Sequence, residues 1–187
     1  MNTFVLWFST GLGHILDIAA YDHLLFVSLL AISYPHREWR KLLLLITAFT
    51  VGHCFTLALS VTKSLHLPAP LIEFGISLSI LITGAVNLAG IKGSQKIRPL
   101  LLYCIVLIFG LLHGLGFSFL LRSMLGSEPS MILPLLYFNL GIEAGQVIIV
   151  AAVFFISLFL TSVIHISFRQ FKFATVCLIT LIALIIS

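Results

Sequence analysis

Seven side chains set among apolar residues are candidates to bind a metal ion: His14, Asp17, Asp22, His23, His53, His113 and Glu143. Imidazole with carboxylate is a ligand set for divalent transition ions. It suits nickel, cobalt, zinc or copper better than magnesium or calcium, which prefer all-oxygen sites. The first four residues crowd into GLGHILDIAAYDHLLF, Gly11 to Phe26. His53 lies in TAFTVGHCFTLALS, His113 in FGLLHGLGF and Glu143 in FNLGIEAGQ. Glu73, Asn139 and Gln146 are supporting polar residues. On a straight helix His14 and Asp22 share a broad face, whereas His23 points away. Either the helix breaks around Ile18 to Ala20, or His23 serves another contact. Each residue also has an ordinary explanation when taken alone. His14 is then an interfacial histidine, Asp17 a cap that orients it, and Asp22 with His23 a structural pair. His53 and His113 bond helix carbonyls, Glu73 is a first-turn acid, and Asn139 and Gln146 are interhelical hydrogen-bond glue.

The elements that must position these groups follow from composition. The chain has 187 residues, 60% hydrophobic and 9% charged, with a mean hydropathy of +1.22. Soluble domains are roughly half apolar and a quarter charged. The expectation is an all-α integral membrane protein, a single transmembrane domain over residues 1–187. A span needs roughly 20 apolar residues, and six segments qualify. They run from about Phe4 or Thr10 to Ser33, Leu42 to Val61, Leu71 to Ile91, Leu100 to Leu121, Ile132 to Ser162, and Phe171 to Ile186. The fifth is long enough to tilt or to extend past the bilayer. Gly110/Gly114 and Gly141/Gly145 read as close-packing pairs. Cys54, Cys104 and Cys177 lie in apolar runs and read as free thiols.

The net charge of +4 is not a nucleic-acid signal, because the basic residues sit in short loops between apolar runs. Arg37, Arg40, Lys41, Lys92, Lys96, Arg98, Arg169 and Lys172 fall on one side of the expected topology, and Lys63 and Arg122 on the other. The positive-inside rule then predicts a six-helix bundle with both termini extracytoplasmic. The N-terminus carries no positively charged leader, and no cleaved signal peptide is expected.

This topology puts the ionisable groups at one depth, between the midplane and the outer face. A charge at a helix centre costs about 2.5–3.5 kcal/mol on insertion scales. Several together imply mutual neutralisation or a bound cation. Two chemistries fit. One is a permease for a divalent ion, with entry past His14 and Asp17. The other is an intramembrane zinc-dependent hydrolase, with Glu143 or Asp22 as general base for bound water. A metal-free structural partner is the third possibility.

The stretches GLGHILDIAAYDHLLF, TAFTVGHCFTLAL, IEFGISLSI, FGLLHGLGFS and FNLGIEAGQ, in this order, resemble the HupE/UreJ family of bacterial membrane proteins. The resemblance extends to about Val150. The family is associated with hydrogenase and urease accessory genes and is regarded as nickel or cobalt permeases. The resemblance implies a multi-pass protein of the bacterial inner membrane that imports metal ions. It maps the family's first-helix histidine and Asp-His motif onto His14, Asp22 and His23. Two departures stand out. Seven residues separate His14 from Asp22 where the hydrogenase-linked pattern has five, and His113 stands alone where that pattern groups two histidines and a glutamate. Within the chain, Gly110-Leu111-Leu112-His113 echoes Gly11-Leu12-Gly13-His14. Three spans per half would make the halves inverted repeats.

Overall fold

The computed structural model describes residues 2–61, 67–91, 99–125 and 131–186, and all its regular elements are helices. In chain order these are α1 (Thr3–Leu16), a 3-10 turn (Ile18–Ala20), α2 (Tyr21–Ser33), a second 3-10 turn (His36–Glu38), α3 (Trp39–Val61), α4 (Ala69–Ile91), α5 (Pro99–Leu125), α6 (Ile132–Ser162) and α7 (Phe168–Ile186). Among the described residues, five helices are long and apolar enough to cross a membrane. The pair α1 and α2, bent by 74° at its break, makes a sixth span if counted as one. Lys63, Lys92, Lys96 and Arg98 lie outside the described residues.

The first segment is therefore not one helix, and the break falls at Ile18–Ala20. Asp17 ends α1 and starts the turn, its Oδ1 accepting from the Ala19 backbone N–H at 2.9 Å. This is the N-cap chemistry of a short polar side chain.

Burial patterns show why the bundle suits lipid. Helix α3 buries Leu42, Leu45, Ile46, Phe49 and Leu57, and it exposes Leu44, Val51 and Phe55. Its outer face is as apolar as its inner one, which in water would be an aggregation surface.

Glycines set the closest approaches. A Cβ on Gly110 would overlap the Phe49 carbonyl oxygen, and one on Gly52 would overlap that of Leu107. Helices α3 and α5 thus touch backbone to backbone. Helices α1 and α6 do the same, through Gly11 on Phe138 and Gly141 on Phe8. Both pairs run parallel. Phe4 meets Tyr137 and Phe8 meets Gly141, while Phe49 meets Gly110 and His53 meets Gly114. Helix α4 lies beside α2, where Ser33 Oγ donates to Asn87 Oδ1 at 2.7 Å, and meets α7 where Gly84 faces Thr180.

The ends of α2 and α6 come together around a cavity of about 390 Å³ lined by Pro35, His36, Thr161 and His165. Helix α3 starts from that end, so α6 runs towards it and α3 away from it. Arg37, Arg40 and Lys41 gather there with Arg169 at the start of α7. His165 holds a positive φ of 60°, and Ile166 N–H closes the end of α6 on the Leu160 carbonyl at 3.1 Å.

Candidate metal-ion site

The 74° bend decides the site. Nine residues of straight helix would put His14 and His23 roughly 13 Å apart and on opposite faces. With the break between them, their ring centres are 4.9 Å apart. His53 from α3 and His113 from α5 complete the group. The His23 ring centre is 5.8 Å from His53 and 5.1 Å from His113, and His14 is 6.3 Å from His53. The tight α3/α5 packing at Gly110 and Gly114 brings the last two rings to one level. Four helices thus deliver four imidazoles.

Hydrogen bonds fix which nitrogen each ring presents. His113 Nδ1 lies 2.8 Å from the Phe109 carbonyl oxygen, which can only accept. The proton is therefore on Nδ1, and Nε2 offers a lone pair. His23 Nδ1 lies 3.0 Å from Asp22 Oδ1, a carboxylate that also takes the His23 backbone N–H at 2.9 Å. The Nε2 of His23 is likewise left as an acceptor. A carboxylate behind an imidazole is the usual support for a metal-bound histidine.

No group among the described residues uses these acceptors. Nε2 of His14, His23 and His113 and both ring nitrogens of His53 are buried without a hydrogen-bond partner among the described residues. His23, His53 and His113 are 3%, 0% and 1% exposed. Each buried polar atom left unpaired costs about 1–3 kcal/mol, so five in one place call for a ligand.

Two imidazoles on one ion, at metal–nitrogen distances of about 2.0–2.1 Å, stand with ring centres about 5 Å apart. The observed spacings bracket that value. As the rings stand, no three His, Cys, Asp or Glu side chains among the described residues are arranged to hold an ion. The group is gathered, and ring rotation would have to converge it.

A cavity of about 290 Å³ reaches the cluster, lined by His14, Asp22, His23 and His113. Its mouth carries Tyr21 and Glu73, both exposed, and its wall includes Ile76, Ser77 and Ile80 of α4, with Ala183 of α7. His53 lies behind, fully buried.

Two of the expected ligands stand elsewhere. Asp17 is exposed and caps the turn. Glu143 accepts from Thr47 Oγ1 at 2.7 Å and lines no described cavity. Gln146 joins α6 to α3, its Oε1 accepting from Thr50 Oγ1 at 2.8 Å. Asn139 instead bonds its own helix, at the Leu135 carbonyl. Sequence reasoning missed Tyr21 and Phe117. The Phe117 ring centre is 3.8 Å from that of His14. Its position one turn after His113 was the available signal.

A family model described as HupE / UreJ protein matches residues 1–186. The chain belongs to the HupE/UreJ family. No curated protein and no solved structure matches it. Membership covers the whole HupE/UreJ chain, including α7, beyond the reach of the motifs quoted above. Together with the apolar helices it points to a multi-pass membrane protein related to nickel or cobalt transport.

Proposed function

We propose that this HupE/UreJ chain is a permease for a divalent transition ion of the nickel or cobalt type, in the bacterial inner membrane. Its substrate site is His14, His23, His53 and His113, with Asp22 holding His23. The reading rests on one observation: five unpaired ring nitrogens from four helices, buried together at the end of an open cavity. The ion enters past Glu73 and Tyr21 rather than past Asp17. The basic residues collected at the far end of α2 favour that end as cytoplasmic, with both termini outside. Below the rings the Thr50–Gln146 and Thr47–Glu143 pairs offer oxygens towards the cytoplasmic side. The hydrolase alternative, with Glu143 or Asp22 as general base, gains no support: Glu143 is turned to Thr47, and Asp22 is engaged by the His23 ring and backbone N–H.

The test is nickel and cobalt uptake into proteoliposomes. The parent chain should carry flux above empty vesicles. His113→Ala should abolish it, and Asp22→Asn should weaken apparent affinity by about 10–100-fold, the usual cost of losing an outer partner of a metal-bound histidine. Flux equal to that of empty vesicles would remove the permease reading.

A further inference from the structure

The two close helix pairs are the same pair, used twice. Gly110 presses on the Phe49 carbonyl as Gly11 presses on that of Phe138. Gly52 presses on Leu107 O and Leu111 N as Gly141 presses on Phe8 O and Leu12 N. A third crossing sets Gly114 against Thr56 and Ile15 against Gly145, with the glycine on the other partner. One register relates all of them. A shift of 99 residues carries Phe8, Gly11, Leu12, His14 and Ile15 onto Leu107, Gly110, Leu111, His113 and Gly114. A shift of 89 carries Phe49, Gly52 and Thr56 onto Phe138, Gly141 and Gly145. Close packing alone explains glycines at a crossing. It does not explain two pairs that match atom for atom in both partners at once.

Direction makes the repeat an inverted one. Helices α1 and α6 run towards the end that carries His36 and His165, whereas α3 and α5 run away from it. The operation that lays α1 and α6 on α5 and α3 therefore reverses the running direction, as a two-fold axis in the membrane plane does. The third spans, α4 and α7, meet at Gly84 and Thr180. His14 and His113 are equivalents, and the His23 ring stands almost evenly between them, at 4.9 and 5.1 Å. Transporters built this way hold substrate near the midplane, at the repeat interface, and rock one half against the other.

We infer that residues 1–91 and 99–186 form two inverted halves of three spans each, and that exchange of their shapes opens the histidine site to the two ends in turn. In the state observed the cavity opens along the first half of α4. In the exchanged state it opens along the first half of α7, past Lys172, Val176 and Ile179. These share a helical stripe with Ala183, which already lines the cavity. That the exchange carries an ion rests on the permease reading; the exchange itself does not.

The experiment uses the full chain in vesicles, with Cys54, Cys104 and Cys177 replaced by serine. Ser77→Cys reports the α4 route and Lys172→Cys the α7 route, each labelled by a membrane-impermeant maleimide and read by mass. Cross-linking Tyr21→Cys to Glu73→Cys closes the observed mouth. Ser77→Cys labelling should then fall, and Lys172→Cys labelling from the opposite side should rise several-fold. If the pair does not cross-link, a bulky maleimide on Ser77→Cys wedges the mouth open and should suppress labelling at Lys172→Cys. Labelling at Lys172→Cys that ignores the state of the mouth overturns the inference. No metal is needed for the readout. Reciprocal labelling without nickel flux would therefore sink the permease and keep the repeat, and flux without reciprocity would do the reverse.

Discussion

At the scale of single residues, His53 separates a ligand from a structural histidine. Both its ring nitrogens are buried without a partner, and its side chain is 0% exposed. A structural imidazole would have a protein partner for at least one ring nitrogen, and His53 has none among the described residues. His53→Leu removes the unpaired polar atoms and keeps an apolar side chain of moderate size. The metal-free variant should be at least as stable as the parent, by up to about 1–3 kcal/mol. It should also lose the thermal shift that nickel gives the parent. Thermal unfolding in detergent, with and without nickel, measures both. A clear loss of metal-free stability would make His53 structural. The histidines were legible in the sequence because an imidazole in a membrane span is costly enough to need a reason. Glu143 stands on Thr47, away from the rings, for an instructive cause. Depth along α6 can be counted from the sequence, but the face that Glu143 turns to Thr47 depends on how α6 crosses α3, which no single-helix pattern contains.

At the scale of elements, the break and the glycine crossings determine whether the rings meet. The break was anticipated from angles alone, since His23 cannot join His14 on a straight helix. The glycine pairs were read as packing devices, and they are. Their partners stayed hidden, because which carbonyl a glycine meets is set by the tertiary crossing. Gly110→Ala tests the α3/α5 approach. The added methyl would overlap the Phe49 carbonyl, a backbone atom that cannot swing aside. Overpacking of this kind costs about 1–3 kcal/mol. The expected result is a lower melting temperature together with weakened nickel binding, because Phe49 and His113 shift apart. Their ring centres now stand 5.0 Å apart. Gly13→Ala is the control, since nothing lies within 4 Å of a Cβ there. Equal melting temperatures for the two variants would contradict the close approach.

At the scale of the whole molecule, charge distinguishes the two ends. The long apolar helices were legible from composition, whereas the shape of the open cavity was not, because it depends on how α4 leans against the break. Glu73 stands at the mouth of the cavity, exposed and without an ion pair among the described residues. The other end gathers Arg37, Arg40, Lys41 and Arg169. A carboxylate at a narrow mouth raises the local concentration of cations and the rate at which they enter, and salt screens the effect within a Debye length of about 8–10 Å. Glu73 touches none of the four rings, so its removal should alter capture and leave the bound site intact. Glu73→Gln should raise the nickel concentration for half-maximal uptake several-fold at low ionic strength, with the maximal rate retained. Raising the salt should weaken uptake by the parent at low nickel and hardly change that of the variant, so the two curves converge. A fall in maximal rate with unchanged half-saturation would instead place Glu73 in the steps after binding. An unaltered curve at low salt would leave the mouth electrostatically idle, and entry would then depend on the depth of the histidine site alone.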